Sequence, residues 1–485
     1  MNSTSNSDSN HSSAASHSEA SLYASSPENK NRELFEKMPV YQALIKMCVP
    51  TIIGQMVVLV YNMADTFFIG RTANPYMIAA TSLVLPIFNM SNTLSDFVGV
   101  GSGALISRLL GQYREKDAAR MSAFAVYFSL TISLLWSVLV FSLMTPLLKL
   151  LGASDATFEF TRQYMTLVVV LGGIPTIVQL TLAQLLRAVG FSRQAGFGIS
   201  MGGILNMVLD PLFMFVILPD GMEVIGAGIA TALSNVCSLV YFIVMIVRLR
   251  KQTVLTFSPA DGLPAASLVR EAILGGIPSA MSNGLFNLSQ LMINKLMAAY
   301  GDIALAAVGI VLKAERIPLN TGVGITQGMM PLVAYNYSNG NYKRMKKVIS
   351  QSRLAGLVVA AAAIVIYEFT APGILRLFIN NAETDLLGAA FLRVRCVATP
   401  FMFMCFHMLF AFQGMGENRT GFWLAFIRQL VLYIPLLLLM DRLFGMYGLV
   451  WTQALSDGIM ALVSFYFWHR FEKRVLKPKA ATMAT

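Results

Sequence analysis

Residues 99–121 read GVGSGALISRLLGQYREKDAARM, and residues 322–345 read GVGITQGMMPLVAYNYSNGNYKRM. Both segments open on Gly-Val-Gly, pass through an apolar run and a polar turn, and close on Arg-Met. Two more pairs recur in the same order at nearly the same spacing: Val49-Pro50-Thr51 with Ile277-Pro278-Ser279, and Ala232-Leu233-Ser234-Asn235 with Ala454-Leu455-Ser456-Asp457. Ordered matches at a nearly constant offset predict that the chain consists of two copies of one unit.

The composition indicates that the solvent of this chain is lipid. Of its 485 residues, 56% are hydrophobic and 13% are charged, and the mean hydropathy is +0.63. Twelve apolar stretches of about 20 to 30 residues recur along the chain, and each is long enough to cross a ~30 Å hydrocarbon core as a helix. We therefore predict an all-α polytopic membrane protein with 12 transmembrane helices in two six-helix pseudo-symmetric lobes.

The segments outside the apolar runs define the expected domain boundaries. The Ser- and Asn-rich N-terminus has too few apolar residues to bury, so we expect it to be disordered. The organisation that follows is a disordered cytoplasmic tail over 1–40, a first lobe over 41–250, a cytoplasmic linker over 251–269, a second lobe over 270–470 and a cytoplasmic tail over 471–485.

The formal charge of +11 reflects the orientation of the chain across the membrane. Most Lys and Arg residues lie in alternate loops, and few fall in the segments assigned to the outside, among them Arg393 and Arg395. The positive-inside rule then places both termini in the cytoplasm, which makes the two units parallel repeats. We expect a multi-pass protein of the plasma (inner) membrane, with no nucleic acid as partner.

Three segments carry a family resemblance: YNMADTFFIG at 61–70, LNMVLDPLF at 205–213 and GMMPLVAYNYSNGNYKR at 328–344. They resemble the multidrug and toxic compound extrusion (MATE) family, nearest its MepA-like bacterial branch, and the likeness covers about residues 40 to 470. The resemblance implies a twelve-helix exporter of small cationic amphiphilic drugs, driven by inward H⁺ or Na⁺. The Ser-rich N-terminal extension departs from the family.

Intramembrane carboxylates are costly, so each one suggests a function. Counting the helix rise from the nearest basic residue on the cytoplasmic side places Asp65, Asp210 and Thr231 about 25 to 28 Å away, at one level in the outer half of the first lobe. Asn206 lies four residues before Asp210 and shares its helix face. These four residues form a candidate cation site.

Two kinds of cation suit these four residues. A medium of low dielectric favours the protonated form of a carboxylic acid, and a second carboxylate nearby strengthens that preference. Alternatively, the carboxylate, amide and hydroxyl oxygens suit a hard metal ion such as Na⁺. The MATE resemblance also assigns ion coupling to Asp65, Asn206, Asp210 and Thr231. The competing interpretation is that the two acids only hydrogen-bond neighbouring helices.

Further candidates concern the substrate. Glu315 and Asp96 lie in mid-helix, where each either binds a cationic drug or pairs within the protein. Tyr61, in the first motif quoted for the resemblance, is a third candidate. The repeat places Ile293 or Asn294 opposite Asp65 and no acid opposite Asp210. We therefore expect the ion site in the first lobe alone.

The sequence lacks the motifs that are typical of other functional classes. The sequence contains neither a GxxxxGK[ST] phosphate loop nor a DDxxD motif, so we predict no enzyme, no cofactor beyond the coupling ion and no ATPase subunit. The leading hypothesis is a monomeric antiporter that works by alternating access. The alternatives are a channel, which the paired halves disfavour, and a flippase of lipid-linked anionic precursors. A flippase would line its cleft with basic residues, yet few lie within helices: Lys295, Lys313, Arg316 and Arg428.

Overall fold

The computed structural model describes residues 33–72, 74–259, 262–378, 381–476 and 478, with the side chains of 377 and 378 excluded. Within these residues all regular structure is helical. The predicted all-α class is therefore confirmed.

The first lobe contains six crossings, the fourth of which is a bent pair of helices. The pair, α5 and α6, meets at an angle of 40° after the π-helical segment Thr166–Leu171. The helices of the lobe are α1 (Val40–Gly70), α2 (Pro75–Gly111), α3 (Glu115–Ser142), the short α4 (Met144–Leu150), α5 (Asp155–Met165), α6 (Gly173–Ala188), α7 (Ser192–Leu212) and α8 (Glu223–Leu249).

The second lobe repeats this pattern. Its fourth crossing is again a bent pair, α12 and α13, which meet at 43°. The helices are α9 (Ala266–Ala298), α10 (Asp302–Ser338), α11 (Tyr342–Phe378), α12 (Ala382–Cys396), α13 (Thr399–Met415), α14 (Asn418–Phe426), which continues as a π-helical segment over Ile427–Tyr433, and α15 (Ile434–Phe471).

Gly445 divides the last long helical run into two crossings. The run Asn418–Leu476 has 59 residues, about 88 Å at the helical rise, which is far more than one bilayer crossing needs. Gly445 has φ +60° and ψ −143°, a conformation that side-chain-bearing residues avoid. With this break the described residues form the predicted twelve crossings, six in each lobe.

Glycines bring the two lobes into contact on the side of the membrane that carries the chain termini, here called the inner side. A Cβ atom at Gly101 of α2 would lie 2.3 Å from the carbonyl oxygen of Ala272 in α9. A Cβ atom at Gly324 of α10 would lie 2.8 Å from the Cα of Ile52 in α1. The inner halves of α1 and α2 therefore pack directly on those of α10 and α9, backbone against backbone.

The same helix faces are exposed in the outer half. Eleven residues make about three helical turns, so Met63 lies on the face of Ile52, and Lys313 lies on the face of Gly324. Met63 is 37% exposed and Lys313 is also exposed, whereas their counterparts three turns inward are in contact. From this loss of contact we infer that the lobes diverge towards the outer side, with a cleft between them that opens there.

Residues 33–38 form an inner-side latch that precedes α1. The ring of Phe35 is fully buried and stacks on Tyr335 of the second lobe with 4.8 Å between centroids. The Glu36 carboxylate accepts hydrogen bonds from the Tyr335 hydroxyl at 2.6 Å and from the Tyr113 hydroxyl of the first lobe at 3.1 Å. The latch therefore bridges the two lobes.

This order differs from the expected disordered tail over 1–40. Residues 1–32 lie outside the described part of the chain, but Glu33–Lys37 are helical and packed. Leu34 and Phe35 supply the apolar surface that the Ser-rich stretch before them lacks, and Arg344 donates a hydrogen bond to the Phe35 carbonyl at 2.7 Å. Burial of these two side chains explains why the chain is packed before α1 begins.

Candidate functional site

Glycines on α7 allow α1 and α8 to approach its backbone on two sides. A Cβ atom at Gly196 would lie 2.2 Å from the carbonyl oxygen of Pro50 in α1, and one at Gly202 would lie 2.1 Å from the Ser238 hydroxyl of α8. Larger side chains at these positions would separate the three helices. The close packing brings polar groups of α1, α7 and α8 together in the outer half of the first lobe.

Asn206 links two of the predicted site residues. Its side-chain amide donates to Asp210 Oδ1 at 3.1 Å and to Thr231 Oγ1 at 3.3 Å. All three residues are buried, and Asp210 has no exposed surface at all. The structure therefore joins α7 and α8 through a polar contact.

Asp65 of α1 completes this cluster. Its carboxylate is near enough to that of Asp210 for the two to interact electrostatically, and Tyr61 and Tyr164 interact electrostatically with the same pair. Tyr61, predicted for the substrate, thus lies beside the carboxylates. Tyr164 was not identified from the sequence, because an isolated tyrosine on α5 gives no pattern that distinguishes it from a packing residue.

Three buried oxygens in the cluster have no hydrogen-bond partner among the described residues: Asp65 Oδ1, Asn206 Oδ1 and Asp210 Oδ2. A buried acceptor left unsatisfied costs about 1 to 3 kcal/mol, and two adjacent carboxylates add mutual repulsion. A proton shared by the pair would relieve both costs. A hard cation held by the same oxygens, with the Thr231 hydroxyl beside them, would do so as well.

Glu315 lies elsewhere, inside the second lobe. Its Oε2 accepts hydrogen bonds from Arg395 Nε at 3.0 Å and Nη2 at 2.7 Å, and both side chains are buried. The sequence assigned Arg395 to an outside segment, but α12 carries it into the lobe, where the Glu315 carboxylate stabilises its charge. Glu315 thus has an internal partner for its negative charge.

A second buried ion pair lies nearby in the same lobe. Arg428 contacts the Asp457 carboxylate at 2.8 and 3.1 Å, and the Gln453 amide donates to the same carboxylate. The repeat relates Asn235 to Asp457. At the same offset, Arg428 corresponds to Asn206 and Gln453 corresponds to Thr231. The second lobe therefore holds a fixed guanidinium where the first lobe has amide and carboxylate oxygens.

Asp96 lies at the contact between the lobes. Its Oδ2 accepts a hydrogen bond from Asn283 of α9 at 2.6 Å, and its Oδ1 accepts one from Gln184 of α6 at 3.3 Å. Arg187 also interacts with it electrostatically. The structure therefore separates the three substrate candidates: Tyr61 lies in the cation cluster, Asp96 at the lobe contact and Glu315 inside the second lobe.

Comparisons with known proteins agree with this architecture. The family model described as MatE matches residues 50–212 and again residues 278–439, one match in each lobe. The chain is 30% identical over 448 residues to a protein of Staphylococcus saprophyticus named Multidrug export protein MepA, covering 92% of this chain and 97% of that one. A protein of the same name from Staphylococcus haemolyticus is 28% identical over 447 residues, with the same coverage.

Solved structures show the same fold. A multidrug resistance MATE family transporter of the MOP superfamily in an outward-facing conformation matches with a TM-score of 0.86 at 22% identity, covering 93% of this chain and 99% of that one. A MATE structure in complex with MaL6 matches with the same TM-score and coverage at 21% identity. With two lobes, twelve crossings and a match of the family model in each lobe, the chain belongs to the MATE family of membrane transporters, on its MepA-like side.

Proposed function

We propose that this MATE transporter is a secondary active antiporter, which exports small cationic amphiphilic drugs in exchange for H⁺ or Na⁺. The coupling ion would bind at Asp65, Asn206, Asp210 and Thr231. The observation that carries the proposal is the set of three buried, unpartnered oxygens on this cluster. The relatives named Multidrug export protein support the choice of drugs as cargo.

The helix α1 connects the cation cluster to the lobe contact. Asp65 lies in its outer half, and Cys48 and Ile52 in its inner half contact Gly328 and Gly324 of α10. A cation that neutralises Asp65 removes the repulsion between the two carboxylates and favours a different position of α1 relative to α7. Because α1 also forms the contact, cation binding biases the lobes towards one arrangement and drug binding towards the other.

The first-lobe wall of the cleft suits apolar cargo. Met63 of α1 is 37% exposed and Met90 of α2 is 42% exposed. Met90 lies eleven residues before Gly101, so it is three turns outward on the face that contacts α9. Flexible thioether side chains adapt to ligands of different shape, which fits a transporter of many amphiphiles.

The second candidate function is the flipping of lipid-linked anionic precursors. The exposed Lys313 on the opposite wall favours it, because such cargo needs positive charge in the cleft. The cluster of two carboxylates has no clear role in binding an anion, so we favour cation-coupled export. On the same proposal the inner side is the cytoplasm of a plasma-membrane protein that acts as a monomer.

The test is ethidium efflux from proteoliposomes under a pH gradient alone and a Na⁺ gradient alone. We expect one gradient to drive efflux, and Asp65→Asn to reduce the rate by about 100-fold or more, because an amide binds neither ion as a carboxylate does. The matched control is Glu159→Gln, whose exposed carboxylate pairs only with neighbouring side chains on α5. Efflux at the wild-type rate from Asp65→Asn, or efflux under neither gradient, would contradict the proposal.

A further inference from the structure

We propose that the second-lobe wall of the cleft holds a subsite for an anionic group of the substrate, formed by Lys313, Arg316 and Phe286. The subsite extends the cargo from simple cations to amphiphiles that also carry a carboxylate. This inference rests on the proposed export function for its role, whereas the binding it predicts can be measured without transport.

Helix periodicity puts all three side chains on the faces by which α9 and α10 contact the first lobe further inward. Each lies eleven residues, about three turns, outward from a residue that contacts the first lobe. Eleven residues inward from Lys313, Arg316 and Phe286 lie Gly324, Gln327 and Gly275, respectively.

These inner residues touch the first lobe directly. Gln327 Oε1 accepts a hydrogen bond from Gln55 of α1 at 3.2 Å, and a Cβ atom at Gly275 would lie 3.5 Å from the Cα of Gly101. Because the lobes diverge in their outer halves, the same faces three turns outward line the open cleft. Arg316 is 14 residues from the start of α10, about 21 Å along the helix, and so lies deep in the membrane.

The positive charge of Arg316 forms no ion pair among the described residues, although the neighbouring Glu315 carboxylate interacts with it electrostatically. Its guanidinium carbon lies 5.5 Å from the ring centroid of Phe286, and no acidic oxygen is within ion-pair distance. The adjacent Glu315 is on another face of α10 and is bound to Arg395. Lys313 also lacks an acidic partner and is exposed.

Three buried arginines in the helices of this protein contact a carboxylate directly. Arg395 and Arg428 each contact a buried carboxylate, and Arg108 of α2 contacts the carboxylate of Glu271 at 2.8 Å. A basic residue deep in the membrane without such a partner is costly and indicates a functional site. The group that compensates Arg316 and Lys313 would therefore arrive with the cargo.

The three side chains suit a carboxylate attached to an aromatic amphiphile. The planar guanidinium can donate two parallel hydrogen bonds to a carboxylate, and the ammonium of Lys313 adds a second charge. The Phe286 ring offers an apolar face beside them. A lipid phosphate has related chemistry, so the experiment must distinguish a carboxylate on the cargo from a lipid headgroup.

Rhodamine 110 and rhodamine 123 provide the matched probes, because the second is the methyl ester of the first and lacks only the free carboxylate. Their affinities for the purified protein are measured by fluorescence anisotropy in detergent. We expect Arg316→Gln to weaken rhodamine 110 binding by about 10-fold or more and rhodamine 123 binding by less than about 2-fold. Arg316→Lys should retain part of the preference.

Lys149→Gln is the control, since it removes an exposed charge on α4, outside the cleft. Equal losses for both dyes, no change for either dye, or binding of neither dye to the wild type would overturn the subsite. Displacement of rhodamine 110 and rhodamine 123 alike by dihexanoylphosphatidylglycerol would assign the charges to a lipid headgroup and also overturn it. Failure of gradient-driven ethidium efflux, with the dye preference intact, would instead refute the export function and leave the subsite standing.

Discussion

In the first lobe, the carboxylates of Asp65 and Asp210 interact with each other, and no described basic side chain lies within ion-pair distance of either. In the second lobe, Glu315 and Asp457 are each held by two contacts from an arginine. The two lobes share one six-helix scaffold, but of these four acids the two in the first lobe lack an arginine counter-charge among the described residues, and the two in the second lobe are paired with arginine.

The internal repeat shows which residues of the two lobes correspond to each other. Arg428 stands at the repeat position of Asn206, so the second lobe carries a covalently attached cation near the level at which the first lobe would bind an exchangeable one. A guanidinium keeps its charge at all relevant pH values and cannot leave. We infer that the second lobe is a fixed partner, and that the first lobe responds to the ion gradient.

The largest expected effect is the difference in stability between the same substitution made in each of the two lobes. Asp457→Asn leaves Arg428 buried without a counter-charge and should cost about 3 to 5 kcal/mol of stability. Asp210→Asn removes a repulsive charge and should change stability by less than about 1 kcal/mol, or increase it. Thermal unfolding in detergent measures both, and equal losses for the two variants would contradict the distinction between the lobes.

Replacing a whole ion pair should have a smaller effect. Glu315→Leu combined with Arg395→Met removes both charges of a buried pair, and such replacements are often neutral or stabilising, so we expect a change within about 2 kcal/mol. The double variant should also keep ethidium affinity within about 2-fold if Glu315 serves only the lobe. Stable protein with a large loss of ethidium affinity would instead assign Glu315 to the substrate.

The smallest effect concerns the unequal attachment of the latch. Glu36 and Phe35 form hydrogen bonds with Tyr335, Asn336 and Arg344 of the second lobe. The first lobe contributes one described hydrogen bond, from Tyr113 to Glu36, and the packing of Gly190 against Phe35. We therefore expect the latch to stay with the second lobe when the lobes separate. Tyr113→Phe should weaken the inner closure by about 1 kcal/mol, a factor of about five in the population of the inner-open state.

Cys48 provides a native reporter for this prediction. Its thiol lies at the lobe contact and donates to the Ile325 carbonyl at 3.4 Å, so separation of the lobes would expose it. In a background where Cys237, Cys396 and Cys405 are replaced, maleimide labelling of Cys48 should accelerate several-fold in Tyr113→Phe. An unchanged labelling rate would show that the hydrogen bond does not contribute to closure.

The sequence predicts the features that follow from regular patterns. Hydropathy and the repeat predict twelve crossings in two lobes, and helix rise predicts that Asp65, Asp210 and Thr231 share one level. The structure brings these three residues together with Asn206, as the sequence proposed. Depth along a straight helix is a local property, so it can be calculated before the packing is known.

Features that depend on packing could not be predicted in this way. Arg395 reads as a loop residue because its helix is short and rich in charge, yet its partner Glu315 is 80 residues away. Phe35 lies next to a polar tail, and its binding site is formed by both lobes.

The most direct test of the account is to count the cations released when ethidium binds to the purified protein, with protons followed in weakly buffered solution and Na⁺ followed as a radioactive tracer. We expect release from the wild type and from the Glu315→Leu, Arg395→Met double variant. We expect none from Asp65→Asn combined with Asp210→Asn. Release that persists without the two first-lobe carboxylates, or that disappears with the second-lobe pair, would contradict the assignment of the exchangeable cation to the first lobe.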